Sequence, residues 1–165
     1  FLDYARPRPA MEVPVDMARV IHDVLAFLEG ELHEKNINVA LDLPSQDGQL
    51  LVSGDKDFFY RAVYNILINS VQAMNGPGTI RIQGRFFKEE DTPMVSLLFS
   101  DNGPGFPAEE RERLLDPFVT TKDDGTGLGL PIVNTIFTSQ GGRLSLEDAP
   151  GGGALVRVIL PAHAG

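Results

Sequence analysis

Three side-chain amides recur on one short stretch of the chain. Asn65, Asn69 and Gln72, in "NILINSVQAM", stand at i, i+4 and i+7, so a helix there carries them as one stripe. An amide carbonyl is a hard oxygen of the kind Mg²⁺ accepts. The same stripe also describes the solvated face of an amphipathic helix. Further on, the apolar run "VSLLFS" ends in Asp101, followed by Asn102-Gly103-Pro104-Gly105. A carboxylate at a strand end can accept a hydrogen bond from an exocyclic amine or a water. Gly103 and Gly105 would let a flat ligand approach the backbone with no Cβ in the way. Asp-Asn-Gly-Pro is equally strong turn chemistry on its own. The third stretch is "TTKDDGTGLGLPIV". Pro131 lacks an N–H and fits only the first turn of a helix, which places the helix start near Gly127 or Leu128. The N–H groups from Gly127 to Leu130 then lack intrahelical partners and point one way, toward a site that favours an anion. Gly125, Gly127 and Gly129 permit close approach of a phosphate, and Lys122 stands upstream as a counter-charge. The spacing G-x-G-x-G is neither the dinucleotide fingerprint nor the P-loop. Its alternative is a flexible entry to an amphipathic helix whose Ile132, Val133, Ile136 and Phe137 face a core.

These groups need elements to hold them. Asp16 can cap a helix running to about Lys35, with Val20, Val24, Leu25, Phe27 and Leu28 as its apolar face. "INVALDL", from Ile37 to Leu43, alternates as a half-buried strand does, and "MEVPVD" and "QLLVSG" read as short strands. The amide stripe sits on a helix from about Asp57 to Met74, closed by Asn75-Gly76. That helix buries Phe59, Ala62, Val63, Ile66, Leu67, Ser70 and Met74. "TIRIQGRFF" and "MVSLLFS" form a strand pair around the acidic turn "KEEDTP". A short helix near Glu109 to Leu115 precedes the glycine-rich stretch and a helix to about Gln140. "RLSLED" and "ALVRVIL" close the chain around "APGGG". The expected fold is an α+β two-layer sandwich, a mixed, mostly antiparallel sheet covered on one face by three helices.

Composition narrows the chemistry. The chain has 165 residues, the size of one domain, and a net charge of −9 from 23 acidic and 14 basic residues. No dense Lys/Arg stripe is present, so the electrostatic footprint of a nucleic-acid binder is missing. An acidic protein that binds an anion must rely on backbone N–H groups or a bridging cation. The chain has no cysteine, which excludes disulfides, zinc-thiolate sites and thiol nucleophiles. His22, His33 and His163 are too scattered for a metal cluster. No apolar run is long enough to span a membrane. The sequence opens without Met and is read as an excised fragment.

The three constellations, in this order, resemble the catalytic ATP-binding domain of two-component sensor histidine kinases. That superfamily also holds gyrase, the heat-shock chaperone ATPases and MutL, all with the Bergerat ATP-binding fold. "NILINSVQA" resembles the N box, "DNGPG" the G1 box, "DPFVTTK" the F box and "GTGLGL" the G2 box. The resemblance runs from about Val13 to Pro161, and its wording is most like the nitrogen-regulation sensor kinases. It implies that Asn69 ligates Mg²⁺, with Asn65 and Gln72 near the phosphates of ATP. It implies that Asp101 reads the adenine amino group, with Gly103 and Gly105 lining the adenine pocket. Phe118, Thr121 and Lys122 would lie in a mobile lid between Leu115 and Gly127, Lys122 acting on the phosphates. Backbone N–H groups from Gly125, Thr126, Gly127, Leu128, Gly129 and Leu130 would hold those phosphates. Residues 1–12 resemble the end of a dimerisation helix and its linker, and 13–165 the catalytic domain.

Two departures stand out. Gyrase-type ATPases place a general-base Glu four residues before the Mg²⁺ Asn; Asn65 stands there and cannot take a proton from water. This favours phosphoryl transfer to a supplied acceptor over hydrolysis. Ala154 replaces a Thr common near the adenine. "HEKN" at His33 to Asn36 lacks the context of the family's phosphorylated His, so the acceptor is expected upstream, on a dimerisation domain that hands the phosphoryl group to a response regulator. The resemblance implies a cytoplasmic module, monomeric as an isolated fragment and without membrane or nucleic-acid contact of its own, whether or not the intact protein is anchored. A superfamily ATPase, a serine kinase or a degenerate nucleotide-sensing module are the alternatives.

Overall fold

The computed structural model describes residues 13–46, 48–107, 111–115 and 129–163. Strand β1 (Pro14–Asp16) pairs antiparallel with β3 (Leu51–Ser53) in a small two-stranded sheet. Asp16 then caps α1 (Met17–Phe27), its carboxylate accepting from the Ala18 N–H at 3.0 Å. A single helix to Lys35 is not what forms. The chain leaves helical geometry at Leu28 and resumes as α2 (Glu29–Glu34). The bend carries both Leu28 and Leu32 into the core, at 3% and 7% exposure. It also corrects the expected apolar face, because Phe27 is left 69% exposed while Met17 and Ile21 are fully buried. Asn36, at φ +59°, turns the chain into β2 (Ile37–Asp42).

Helix α3 (Lys56–Met74) begins on Asp55, which accepts from the N–H groups of Asp57 and Phe58 at 2.8 and 3.3 Å. It ends on Asn75 in the left-handed conformation, as its Asn-Gly signal predicts. Its buried face follows the expected spacing from Phe59 to Leu67, but Val71 rather than Ser70 completes it. β4 (Gly78–Glu89) and β5 (Thr92–Asp101) form a long hairpin. The expected six-residue acidic turn shrinks to Glu90-Asp91, both at positive φ, so the strands extend into "KE" and "TP". Two left-handed residues in sequence match the twist of the strands they join. A 3₁₀ turn (Glu112–Leu115) replaces the described part of the expected short helix. Helix α4 (Gly129–Ser139) leads to β6 (Arg143–Asp148) and β7 (Ala154–Pro161).

The main sheet has the order β2-β4-β5-β7-β6, parallel between β2 and β4 and antiparallel elsewhere. Along β5, Val95, Leu97 and Phe99 face the helices, as do Ile80 and Ile82 from β4 and Val156, Val158 and Leu160 from β7. Phe59 of α3 stacks on Phe137 of α4 with ring centroids 6.0 Å apart, joining the two helices that flank the site. Burying such a ring stabilises the fold by about 2–3 kcal/mol. Among the described residues no helix is long and apolar enough to cross a membrane.

Candidate nucleotide site

Asp101 ends β5 and is the buried charged residue of the described chain, at 5% exposure. A buried carboxylate needs partners. Its Oδ1 accepts from the Gly103 N–H at 2.9 Å and from the Ala154 N–H at 3.3 Å. The next residue, Asn102, pins the loop to β4 by accepting from the Thr79 N–H at 2.9 Å. Gly103 and Gly105 serve the loop before any ligand arrives. A Cβ at Gly103 would come within 3.0 Å of Met74 Cγ, and one at Gly105, which has φ +83°, within 3.2 Å of the Gly153 carbonyl. Gly153 is the residue the sequence reading missed. At φ +108° its missing Cβ makes room for the Asp101 carbonyl, which occupies that space. The signal was the run Gly151-Gly152-Gly153, all three at positive φ. Ala154, flagged for a missing hydroxyl, contributes its backbone N–H instead.

Across the cleft, α3 presents the amide stripe. Asn65 and Asn69 are half-buried, and Gln72 is exposed. Asn69 reaches the start of α4, where a Cβ at Gly129 would lie 2.8 Å from Asn69 Nδ2 and 3.1 Å from its Oδ1. The described part of helix α4 opens at Gly129, and the expected start near Gly127 or Leu128 lies outside the described residues. Pro131 lies two residues into the described helix, in keeping with the N-terminal place that a residue without an N–H takes. Phe118, Thr121, Lys122, Gly125, Thr126, Gly127 and Leu128 lie outside the described residues. The structure places Asn69 beside Gly129, and Asp101 and Gly103 beside Met74, which ends the same helix α3 that carries Asn69. His33 is exposed at the end of α2.

The groups present suit Mg²⁺ carried by a nucleotide. Among the described residues no cluster of three His, Cys, Asp or Glu could form an all-protein metal cage. One amide oxygen can ligate the cation while a helix N-terminus holds the phosphates that would supply its other ligands.

A fold of this kind, with an amide-bearing helix meeting a glycine in the N-terminal part of α4, defines the class. The family model for histidine kinase-, DNA gyrase B- and HSP90-like ATPases matches residues 54–164, and the chain belongs to that family. Its relatives are sensor kinases. The nitrogen regulation protein NtrY of Azorhizobium caulinodans is 37% identical over 99% of this chain and 21% of its own length. The signal transduction histidine-protein kinase AtoS of Escherichia coli K12 is 29% identical over 98% of this chain and 26% of its own length. The chain thus spans about a fifth to a quarter of the length of these curated relatives. Among solved structures, the catalytic domain of histidine kinase ThkA in a nucleotide-free form matches with a TM-score of 0.80 at 25% identity, over 90% of this chain and 94% of that one. Full-length ShkA in complex with AMPPNP matches at 0.75 and 27% identity, over 92% of this chain and 31% of that one. The two-layer fold expected from the sequence is the fold of these catalytic domains.

Proposed function

We propose that this chain binds Mg²⁺–ATP and passes the γ-phosphoryl group to a histidine on a dimerisation domain outside it, for relay to a response regulator. The observation that carries the reading is the contact of Asn69 with Gly129. It sets an amide oxygen beside the N-terminal part of α4, the part whose N–H groups would cradle the phosphates of a Mg²⁺–triphosphate. The bound nucleotide analogue of the ShkA structure supports the same assignment by analogy.

Asp101 accepts the adenine amine. Two backbone N–H groups hold its Oδ1, which fixes the carboxylate's orientation and leaves Oδ2 for the ligand. Asn65 and Gln72 lie along the phosphates, and the N–H groups of Gly125 through Leu130 cradle them. Mg²⁺, when bound, neutralises charge that develops on the transferring group. By the sequence resemblance, Lys122 adds a second cation at the phosphates, and Phe118 and Thr121 belong to the nucleotide site. Little covalent work falls to the protein, as is general for phosphoryl transfer. Asn65, unlike a carboxylate, cannot activate water, so transfer is favoured over hydrolysis.

The test mixes the chain with a separately produced dimerisation domain and γ-labelled ATP. The expected product is acid-labile, base-stable phosphate on that domain, absent with Asn69→Ala. Label appearing only as free phosphate, with or without the acceptor, would overturn the kinase reading in favour of an ATPase.

A further inference from the structure

The face of the main sheet turned away from the helices carries a groove of about 490 Å³. Two adjacent cross-strand rows build it. One runs Ala40–Arg81–Ser100–Leu155–Glu147, and the other Asp42–Gln83–Leu98–Arg157–Ser145. Leu98, Leu155 and Pro150 supply an apolar surface. Leu155 is only 6% exposed yet stands apart from the main core cluster, so it is shielded by its neighbours on this face rather than by a helix.

Charge in the two rows is almost balanced. Arg157 donates from Nε and Nη2 to Glu147 at 2.7 and 3.0 Å, and Arg85, one place further along β4, holds Asp42 at 2.6 Å. Arg81 is the exception. Among the described residues it makes no side-chain hydrogen bond or ion pair, and it stands directly across from the Ser100 hydroxyl. A protein of net charge −9 repels anions in general, so an unpaired guanidinium beside an apolar trough is a specific local invitation. The volume is that of small-molecule sites, which are mostly apolar with a few placed polar groups.

We propose that this groove binds a small amphipathic anion. Its carboxylate, sulfonate or phosphate pairs with Arg81 and accepts from Ser100, and its apolar body lies on Leu98, Leu155 and Pro150. The site is separate from the Asp101–Asn69 cleft, which opens on the helix side of the sheet.

The probe is 8-anilino-1-naphthalenesulfonate, an apolar ring system with one anionic group, titrated into the full chain and followed by fluorescence. The expected result is saturable binding of about one equivalent, with affinity reduced about tenfold or more in Arg81→Glu, the loss of one charge-assisted pair. Arg61→Glu, an exposed change on α3 with the same charge effect, is expected to bind within about twofold of the parent. Far-UV circular dichroism and melting of each variant exclude unfolding as the cause. Absence of saturable binding overturns the proposal, and so does equal binding by the two variants. Displacement of the probe by ATP in proportion to site occupancy also overturns it, since the dye would then lie in the nucleotide cleft.

Discussion

Gly153 and Asp101 occupy one space: the carbonyl of Asp101 stands where a Cβ at residue 153 would be, and the neighbouring Ala154 N–H reaches the Asp101 carboxylate. The position of the carboxylate is thus set by a glycine in the turn that leads into β7. Gly153→Ala cannot be absorbed by moving a flexible side chain, because the clash is with backbone and the residue has φ +108°. The expected outcome is a loss of about 3 kcal/mol or more, measured by chemical denaturation, from strain and a displaced β5–β7 junction. Asp101→Asn is the contrasting change. It keeps an oxygen for the two N–H donors, so stability should fall by less than about 1.5 kcal/mol while adenine nucleotide affinity falls. Calorimetry showing unchanged affinity would remove Asp101 from the adenine site.

Asn69 and Gly129 give the second prediction. Asn69 is half-buried and exchanges no hydrogen bond with the described core, so Asn69→Ala should cost less than about 1 kcal/mol. Phosphotransfer from Mg²⁺–ATP should nonetheless be abolished by Asn69→Ala and by Asn69→Asp. Gly129→Ala acts on the same atoms from the other side, since its Cβ would lie 2.8 Å from Asn69 Nδ2. It should lower transfer while leaving the melting temperature within a few degrees. Near-normal transfer in either Asn69 variant would sink the assigned role.

The sequence showed the site's parts more clearly than their fit. The amide stripe was legible because α3 is long, evenly periodic and capped at both ends by recognisable residues, Asp55 and Asn75. Asp101 was legible because β5 alternates without interruption up to it. Pro131 was legible as an N-terminal residue of α4, since a residue without an N–H has only one place in a helix, and it stands two residues into the described part of that helix. The break at Leu28 was not legible. Val20 to Leu32 reads as one apolar helix, and only the shape of the core decides that Leu28 and Leu32 enter together and Phe27 does not. Gly153 was hidden for a similar reason: the run Gly151-Gly152-Gly153 marks a turn, but the contact of its last residue with the end of β5 is a tertiary one. The Glu90-Asp91 turn lacked the Asn-Gly signature that usually marks left-handed hairpin residues. The parallel pairing of β2 with β4 follows from the α3 crossover, which separates them along the chain.

The Phe59–Phe137 stack offers a prediction on stability alone. Both rings are fully buried, so Phe59→Ala or Phe137→Ala should each cost about 3–5 kcal/mol. The double variant should cost less than the sum by about 1 kcal/mol, because the ring-to-ring contact is lost only once. Strict additivity in urea unfolding would mean that the two rings do not interact.

The last prediction concerns acid. Arg157 donates twice to Glu147, and the Ser145 hydroxyl donates to Oε2 at 2.8 Å. Together, Arg157 first, they draw the Glu147 carboxyl from its ordinary 4.5 down to about 2. A carboxyl whose value falls on folding binds protons more readily when unfolded, so its contribution is fully present above the unfolded value and is lost as pH falls through the folded one. The pair is well exposed, at 40% and 36% of the two side chains, so its worth is at most about 1 kcal/mol. Glu147→Gln should therefore be less stable than the parent at about pH 7, with the gap unchanged down to about pH 5. Between about pH 4.5 and pH 2 the gap should close, as the unfolded parent takes up a proton that the folded one still resists. Added salt should narrow the gap at neutral pH. A difference that stayed constant through the acid range would show that the amide disturbs packing, and that the ion pair contributes nothing to the fold.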